Sequence, residues 1–369
     1  VYESHRADHV IEQQADQLHD LQVRNQRMNR ILGSEHGVGE NVITGESLSM
    51  PDTLPGAGFP VSAEVRNALQ DATVKLGSGR KSSTDKHIFW DGSCTGTKVV
   101  SAAGNEYILS AAHCFKDEPA ISRKGSSGPL AVNIAKPQDM YAVLDPNLAV
   151  SDRQSAEPLA TIDGIAVDRS GTTDIALLSV APTHAHAAQF NQIPAIPLDS
   201  YSVGALGGLN SQIAPGQPVA LDGMPASNWD EHVRDTGIYL GQYDGSELSG
   251  ISNQIDLVAI AAPTYEDDAC NYGASGSQGA YLRTDGGLGM TGPLSWRNSI
   301  GYGTEHKFYE PDTADADIQA RLKVEAMTGV NLDQFDTICG YSVPQQDTLD
   351  NLQQVLDNPS LVITFQGGK

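Results

Sequence analysis

The stretch YILSAAHCF, residues 107–115, decides how the rest of the chain is read. Tyr107 to Ser110 form a short apolar run of strand type, Ala111 and Ala112 make a small-residue turn, and His113 follows with Cys114 directly behind it. Upstream, GSCTGTKVV (92–100) sets Cys94 at the head of another apolar run. A histidine that moves protons must keep its backbone still, because a general base works only within about 3 Å of the proton it takes. Two further segments qualify as its partners. TTDIALLSV (172–180) puts Asp174 at the mouth of an apolar strand, where a carboxylate can accept an imidazole N–H and hold its tautomer. CNYGASGSQGA (270–280) puts Ser275 between small residues. Glycine there lets a turn present the hydroxyl uncrowded and lets the N–H groups of Gly273 and Ser275 converge on a developing oxyanion. Each motif has an ordinary reading by itself: a structural histidine, a strand-capping aspartate, a Gly/Ser turn.

Outside these motifs the chain is β-like in its middle. Short apolar runs, VNIA (132–135), YAVL (141–144), GIAV (164–167), IALLSV (175–180) and LVAIAA (257–262), alternate with Gly, Asp, Asn and Pro, as many short strands with tight turns do. The 369 residues carry 37 Gly and 19 Pro. They are 39% hydrophobic and 19% charged, enough to pack a core. A net charge of −23 repels phosphate backbones and argues against nucleic acid as a partner. No run reaches the roughly 18 apolar residues that span a bilayer. The four cysteines, Cys94, Cys114, Cys270 and Cys339, form no C-x-x-C pair. They fit two disulfides and an oxidising compartment, and spacing alone leaves three pairings open.

Taken in chain order, His113, Asp174 and Ser275 resemble the chymotrypsin/trypsin family of serine proteases. That family carries T-A-A-H-C, then D-I-A-L-L, then G-D-S-G-G-P; this chain has SAAHC, DIALL and GASGS. The likeness covers roughly residues 86–303. It implies two antiparallel six-stranded β-barrels and a secreted or periplasmic endopeptidase with His113, Asp174 and Ser275 as its triad. It also implies a Cys94–Cys114 bridge, which would pin the His113 turn and, in the chain-entropy account, contribute about 3 kcal/mol for a loop of about 20 residues. Cys270 is then left to pair with Cys339. No metal or organic cofactor is implied, and the substrates would be proteins or peptides.

EDDAC resembles the family segment whose aspartate lies at the base of the primary specificity pocket. Asp268 would then favour Arg or Lys at the cleaved bond. LSWRN resembles the pocket-lining V-S-W-G strand, which makes Ser295 and Trp296 substrate-binding candidates. The departures are specific. Asn271 and Tyr272 stand where the family has one residue, which loosens the match at Asp268. Arg297 replaces a glycine and would fill the pocket or neutralise Asp268 if it pointed inward. Ala274 replaces the aspartate that anchors a newly released amino terminus. A catalytically inactive, protease-like binding module is the alternative. An α/β-hydrolase is excluded because G-x-S-x-G would need glycine at Ser277 and because strand–helix alternation is absent.

The flanks are expected to differ from the centre. Residues 1–85 read as an extension, with a helix at 7–32 suited to packing or self-association, a linker at 33–60, and a short helix at 62–72 capped by Ser62. Residues 86–369 read as the protease-like domain. Its 304–369 part is divergent, with helices at 314–327 and 345–357; Leu349, Leu352 and Leu356 share a face of the second.

Overall fold

The computed structural model describes residues 61–81, 88–115, 140–145, 157–167, 173–201, 212–225, 232–243, 257–262, 269–270, 274–299, 321–322, 324–326, 328–332, 335, 337–343 and 346–357. The expected helix at 7–32, the linker at 33–60 and the VNIA run lie outside them, as do Asp268 and Gly273.

The described chain opens with helix α1 (Ala63–Ala72), whose N-cap Ser62 accepts the Val65 N–H at 3.3 Å. That hydroxyl replaces one of the hydrogen bonds a helix start lacks. The helix buries Val65, Leu69 and Ala72 and ends at Thr73, where β1 (Thr73–Lys81) begins. Strands β2 (Ile88–Val100), β3 (Glu106–Ser110), β4 (Met140–Leu144), β5 (Ala160–Val167) and β6 (Ala176–Pro182) follow. They pair in the order β1-β4-β5-β6-β3-β2, and β2 returns to β1, so an antiparallel six-stranded barrel closes. Closure leaves no open edge within the ring. Its interior holds Val74, Leu76, Ile108, Val143, Ile162, Ile165 and Leu178. Gly96 is required where β2 crosses β3, since a Cβ there would lie 2.5 Å from Ile108. Strand β1 lies upstream of residue 86, within the segment read as extension, and it pairs along its length with β2. A short β7 (Ile196–Pro197) adds parallel to β2 after helix α2 (Ala187–Gln192).

The second sheet comprises β8 (Pro218–Gly223), β9 (Val233–Tyr243), β10 (Leu257–Ala262), β11 (Gln278–Leu282), β12 (Leu288–Met290), β13 (Leu294–Ser299) and β14 (Thr337–Ser342). Its order is β12-β11-β8-β9-β10-β14-β13, so the described residues form a seven-stranded sheet without the β12–β13 pairing that would close the expected second barrel. Its two sides still approach. Leu294, the first residue of β13, donates to the Ser277 carbonyl at 2.7 Å and accepts the Gly276 N–H at 3.0 Å, just ahead of β11. Val219, Leu221, Tyr239, Tyr281 and Tyr341 form its core.

Helix α3 (Gln346–Asp357) packs Leu349, Leu352 and Val355 into a third cluster, shared with α1, β3, β6 and β8. Each such side chain contributes about 1.5–3 kcal/mol on burial. Leu356 is partly buried against the same cluster. Asp357 accepts hydrogen bonds from the Tyr107 hydroxyl and, at 3.3 Å, from the Asn105 amide, tying the helix to β3. Of the run read as helical at 314–327, residues 321–322 and 324–326 are described, and they are helical.

Candidate active site

Strand β3 delivers the chain to a single 3-10 turn, Ala112–Phe115, that carries His113. The Cys94–Cys114 disulfide ties this turn to β2. Phe115 enters the barrel core and meets Tyr141 edge-on at 5.1 Å between ring centres. The Ala112 N–H donates to the Asp174 carbonyl at 3.3 Å.

Asp174 sits two residues before β6 and is gripped from several sides. Its Oδ2 lies 2.6 Å from His113 Nδ1 and also accepts the Ser295 hydroxyl at 2.7 Å. Its Oδ1 accepts the His113 backbone N–H at 2.8 Å. Its own N–H donates to Ser342 Oγ at 3.0 Å. Burial by itself would raise the carboxyl's pKa. The His113 hydrogen bond and charge, the Ser295 hydroxyl and the His113 N–H together outweigh it and hold Asp174 below the usual carboxylate range. An ionised Asp174 keeps the proton on Nδ1 of His113 and leaves Nε2 as the acceptor. The His113 side chain is 35% exposed, so the ring reaches solvent while its aspartate is shielded.

Ser275 stands at the second position of a tight turn closed by the Ser277 N–H on the Ala274 carbonyl at 2.7 Å. Gly276 follows at φ +87°, the left-handed value this turn demands of its third residue. A Cβ at Gly276 would also come within 2.2 Å of both the Thr95 carbonyl and Ser110 Oγ, so the turn lies flat on the barrel wall. The Thr95 N–H donates to the Ser275 carbonyl at 2.8 Å, and Cys114 Sγ lies 3.9 Å from the same oxygen. The turn bearing Ser275 thus rests on the disulfide whose other neighbour is His113. Behind it, Cys270 is bonded to Cys339.

The structure therefore brings His113 and Asp174 together by hydrogen bonds and sets the Ser275 carbonyl against Thr95 and against Cys114, the residue after His113. Ser295, expected to line a substrate pocket, turns its hydroxyl to Asp174. Trp296 covers Gly340, where a Cβ would lie 2.4 Å from the indole, and Arg297 is half-buried on the same strand. Ser342 had no mark in the sequence: a serine in GYSVP has no motif around it, and only strand pairing takes it to Asp174. Among the described residues no cluster of His, Cys, Asp and Glu could hold a metal ion, and no helix is long and apolar enough to cross a membrane.

No family model matches the chain, and no curated protein matches it. Solved structures do. The Rv3671c protease of M. tuberculosis, in an inactive form, is 15% identical, with a TM-score of 0.34 over 85% of this chain and 98% of that one. The secreted serine protease VesC of Vibrio cholerae is 18% identical, with a TM-score of 0.35 over 62% of this chain and 41% of that one.

Proposed function

We propose that the chain is a serine endopeptidase acting through His113, Asp174 and Ser275. The observation that carries this reading is the His113–Asp174 pair, joined at 2.6 Å through the ring and at 2.8 Å through the backbone, beside the turn that presents Ser275. His113 Nε2 would take the Ser275 hydroxyl proton as the oxygen attacks a peptide carbonyl. The same proton would pass to the leaving amine, and water would release the acyl-enzyme by the reverse sequence. Asp174 stays ionised throughout and steadies the imidazolium. The N–H groups of Ser275 and Gly273 are the proposed oxyanion donors, each worth about 3 kcal/mol in such sites.

Specificity for Arg or Lys is proposed on Asp268, with Trp296 and Arg297 bordering the substrate strand. The two disulfides favour an extracellular or periplasmic setting. Residues 1–85 are proposed as an extension ahead of the enzyme body, with β1 contributing its strand to the barrel.

A fluorophosphonate probe tests the reading directly. It is expected to label the wild-type chain at Ser275 and to leave Ser275→Ala unlabelled. Absence of label, with no hydrolysis across a panel of peptide substrates, would replace the enzyme by a protease-like binding module. Arg- and Ala-terminated chromogenic peptides compared side by side test Asp268; a preference for the small residue overturns the tryptic assignment.

A further inference from the structure

Ser342 is fully buried at the end of β14, and its hydroxyl oxygen accepts the Asp174 N–H. Strand alternation explains how it gets there. Cys339 and Tyr341 point into the core of the second sheet, and Cys339 carries the bridge to Cys270. Gly340 and Ser342 face the other way, Gly340 beneath Trp296 and Ser342 toward the barrel. The Ser342 N–H donates to the Pro293 carbonyl at 2.9 Å, one residue before β13, the strand that brings Ser295. Two hydroxyls from adjacent strands of the second sheet thus hold one aspartate of the barrel. Ser342 takes its backbone and Ser295 its carboxylate.

From this geometry we infer that Ser342 is a positioning residue for the His113–Asp174 pair. The inference rests on the protease reading above. Asp174 must offer one oxygen to the His113 N–H and the other to Nδ1 at the same time. That requires its Cα to sit at one height and its side chain at one angle. Ser342 supplies the fixed point behind the Cα. Without the acceptor, a partly buried N–H loses its partner and the backbone shifts to find another. The 2.6 Å contact at the tip of the side chain then suffers most, because catalytic geometry degrades over fractions of an ångström. The same strand, through Cys339, tethers the segment that leads to Ser275. β14 therefore sets the aspartate and the nucleophile turn in one register.

The test uses the full chain with Ser342→Ala, and with Ser342→Thr as the conservative rescue. Three measurements are made on each: the thermal midpoint, kcat and KM on a small peptide substrate, and the proton NMR resonance of the His113–Asp174 bond in the resting protein. The expected result for folded Ser342→Ala is a fall in kcat of about tenfold with KM within about twofold. The downfield proton moves upfield or is lost, and Ser342→Thr restores both. Should Ser342→Ala not fold, Ser342→Cys, isosteric but a weaker acceptor, carries the same readouts. The inference is overturned if kcat stays within about twofold with the resonance unmoved, or if kcat falls while the resonance stays in place. Failure of the protease reading is seen separately, as absence of fluorophosphonate label on the wild type. The resonance still reports on the Ser342–Asp174–His113 chain in that case.

Discussion

The barrel and the second sheet each contain an aspartate–histidine pair. In the barrel, His113 Nδ1 meets one oxygen of Asp174 at 2.6 Å, and the other oxygen takes a backbone N–H. In the second sheet, His232, just before β9, faces both oxygens of Asp222 on β8 at 3.0 and 3.1 Å. The residue types match, yet the carboxyls move in opposite directions. Asp174 is 14% exposed and receives enough donors to overcome its burial, so its pKa falls. Asp222 is 3% exposed, and burial outweighs the help of His232, Arg234 and Thr73, so its pKa rises. His232 also lines a cavity of about 220 Å³ with Thr73, Val74, Leu144 and Leu159, and none of the proposed triad lines it. A hydrogen bond to histidine therefore does not by itself set the direction of an aspartate's pKa. The number of donors aimed at the carboxylate, set against its desolvation, decides whether it can steady a positive imidazole.

The largest test of that contrast is activity. Asp174→Asn should lower kcat/KM on the order of 10⁴-fold, because the amide favours the wrong tautomer of His113. Asp222→Asn should leave kcat/KM within a few-fold. Equal losses at both positions would erase the difference between the two pairs.

The disulfides sharpen it structurally. Cys270–Cys339 spans 69 residues and Cys94–Cys114 spans 20. On chain entropy, replacing the first pair by alanine should cost about 4 kcal/mol and the second about 3 kcal/mol, read by urea unfolding. The smaller stability loss is expected to bring the larger loss of labelling at Ser275, since the shorter loop holds the His113 turn.

Gly276→Ala joins the two halves. A left-handed φ and two contacts at 2.2 Å predict a loss of about 3 kcal/mol, together with loss of fluorophosphonate labelling. A labelled, stable Gly276→Ala protein would mean that the Ser275 turn does not rest on the barrel as described.

The smallest effect is on the pH dependence of stability, where the two aspartates have opposite signs. Asp174, lowered on folding, contributes stability above about pH 4 and loses it as pH falls through its folded value. Asp222, raised on folding, contributes fully below about pH 4, and its contribution declines as pH rises through its folded value. Denaturant titrations across pH should show Asp174→Asn flattening the acid branch and Asp222→Asn flattening the decline above it.

Much of the site is legible in linear sequence because its parts are local. His113 stands next to its bridging cysteine, Asp174 heads its own strand, and Ser275 sits in its own turn. The apolar runs YAVL, GIAV and IALLSV are strands for the same reason: each buries most of itself within a few residues, and LVAIAA is a strand as well. Strand β1 is harder to see. TVKLGSGRK falls in the segment read as extension and mixes Gly, Ser and two kinds of cation, yet Lys75 is buried there, its ammonium donating to the carbonyl of Met224, just past β8. Lys98, also buried, is satisfied by the Phe190 and Ile193 carbonyls and by Glu106.

The triad candidates thus depend on residue type and order, which a sequence carries in full. The partners of Asp174 do not. Ser295 and Ser342 lie 121 and 168 residues from it, and ordinary serines reach one carboxylate and one N–H only when two strands of a different sheet pair beside each other. Hydroxyl placement of this kind is a property of strand register and sheet docking, which residue identity leaves open until the chain has folded.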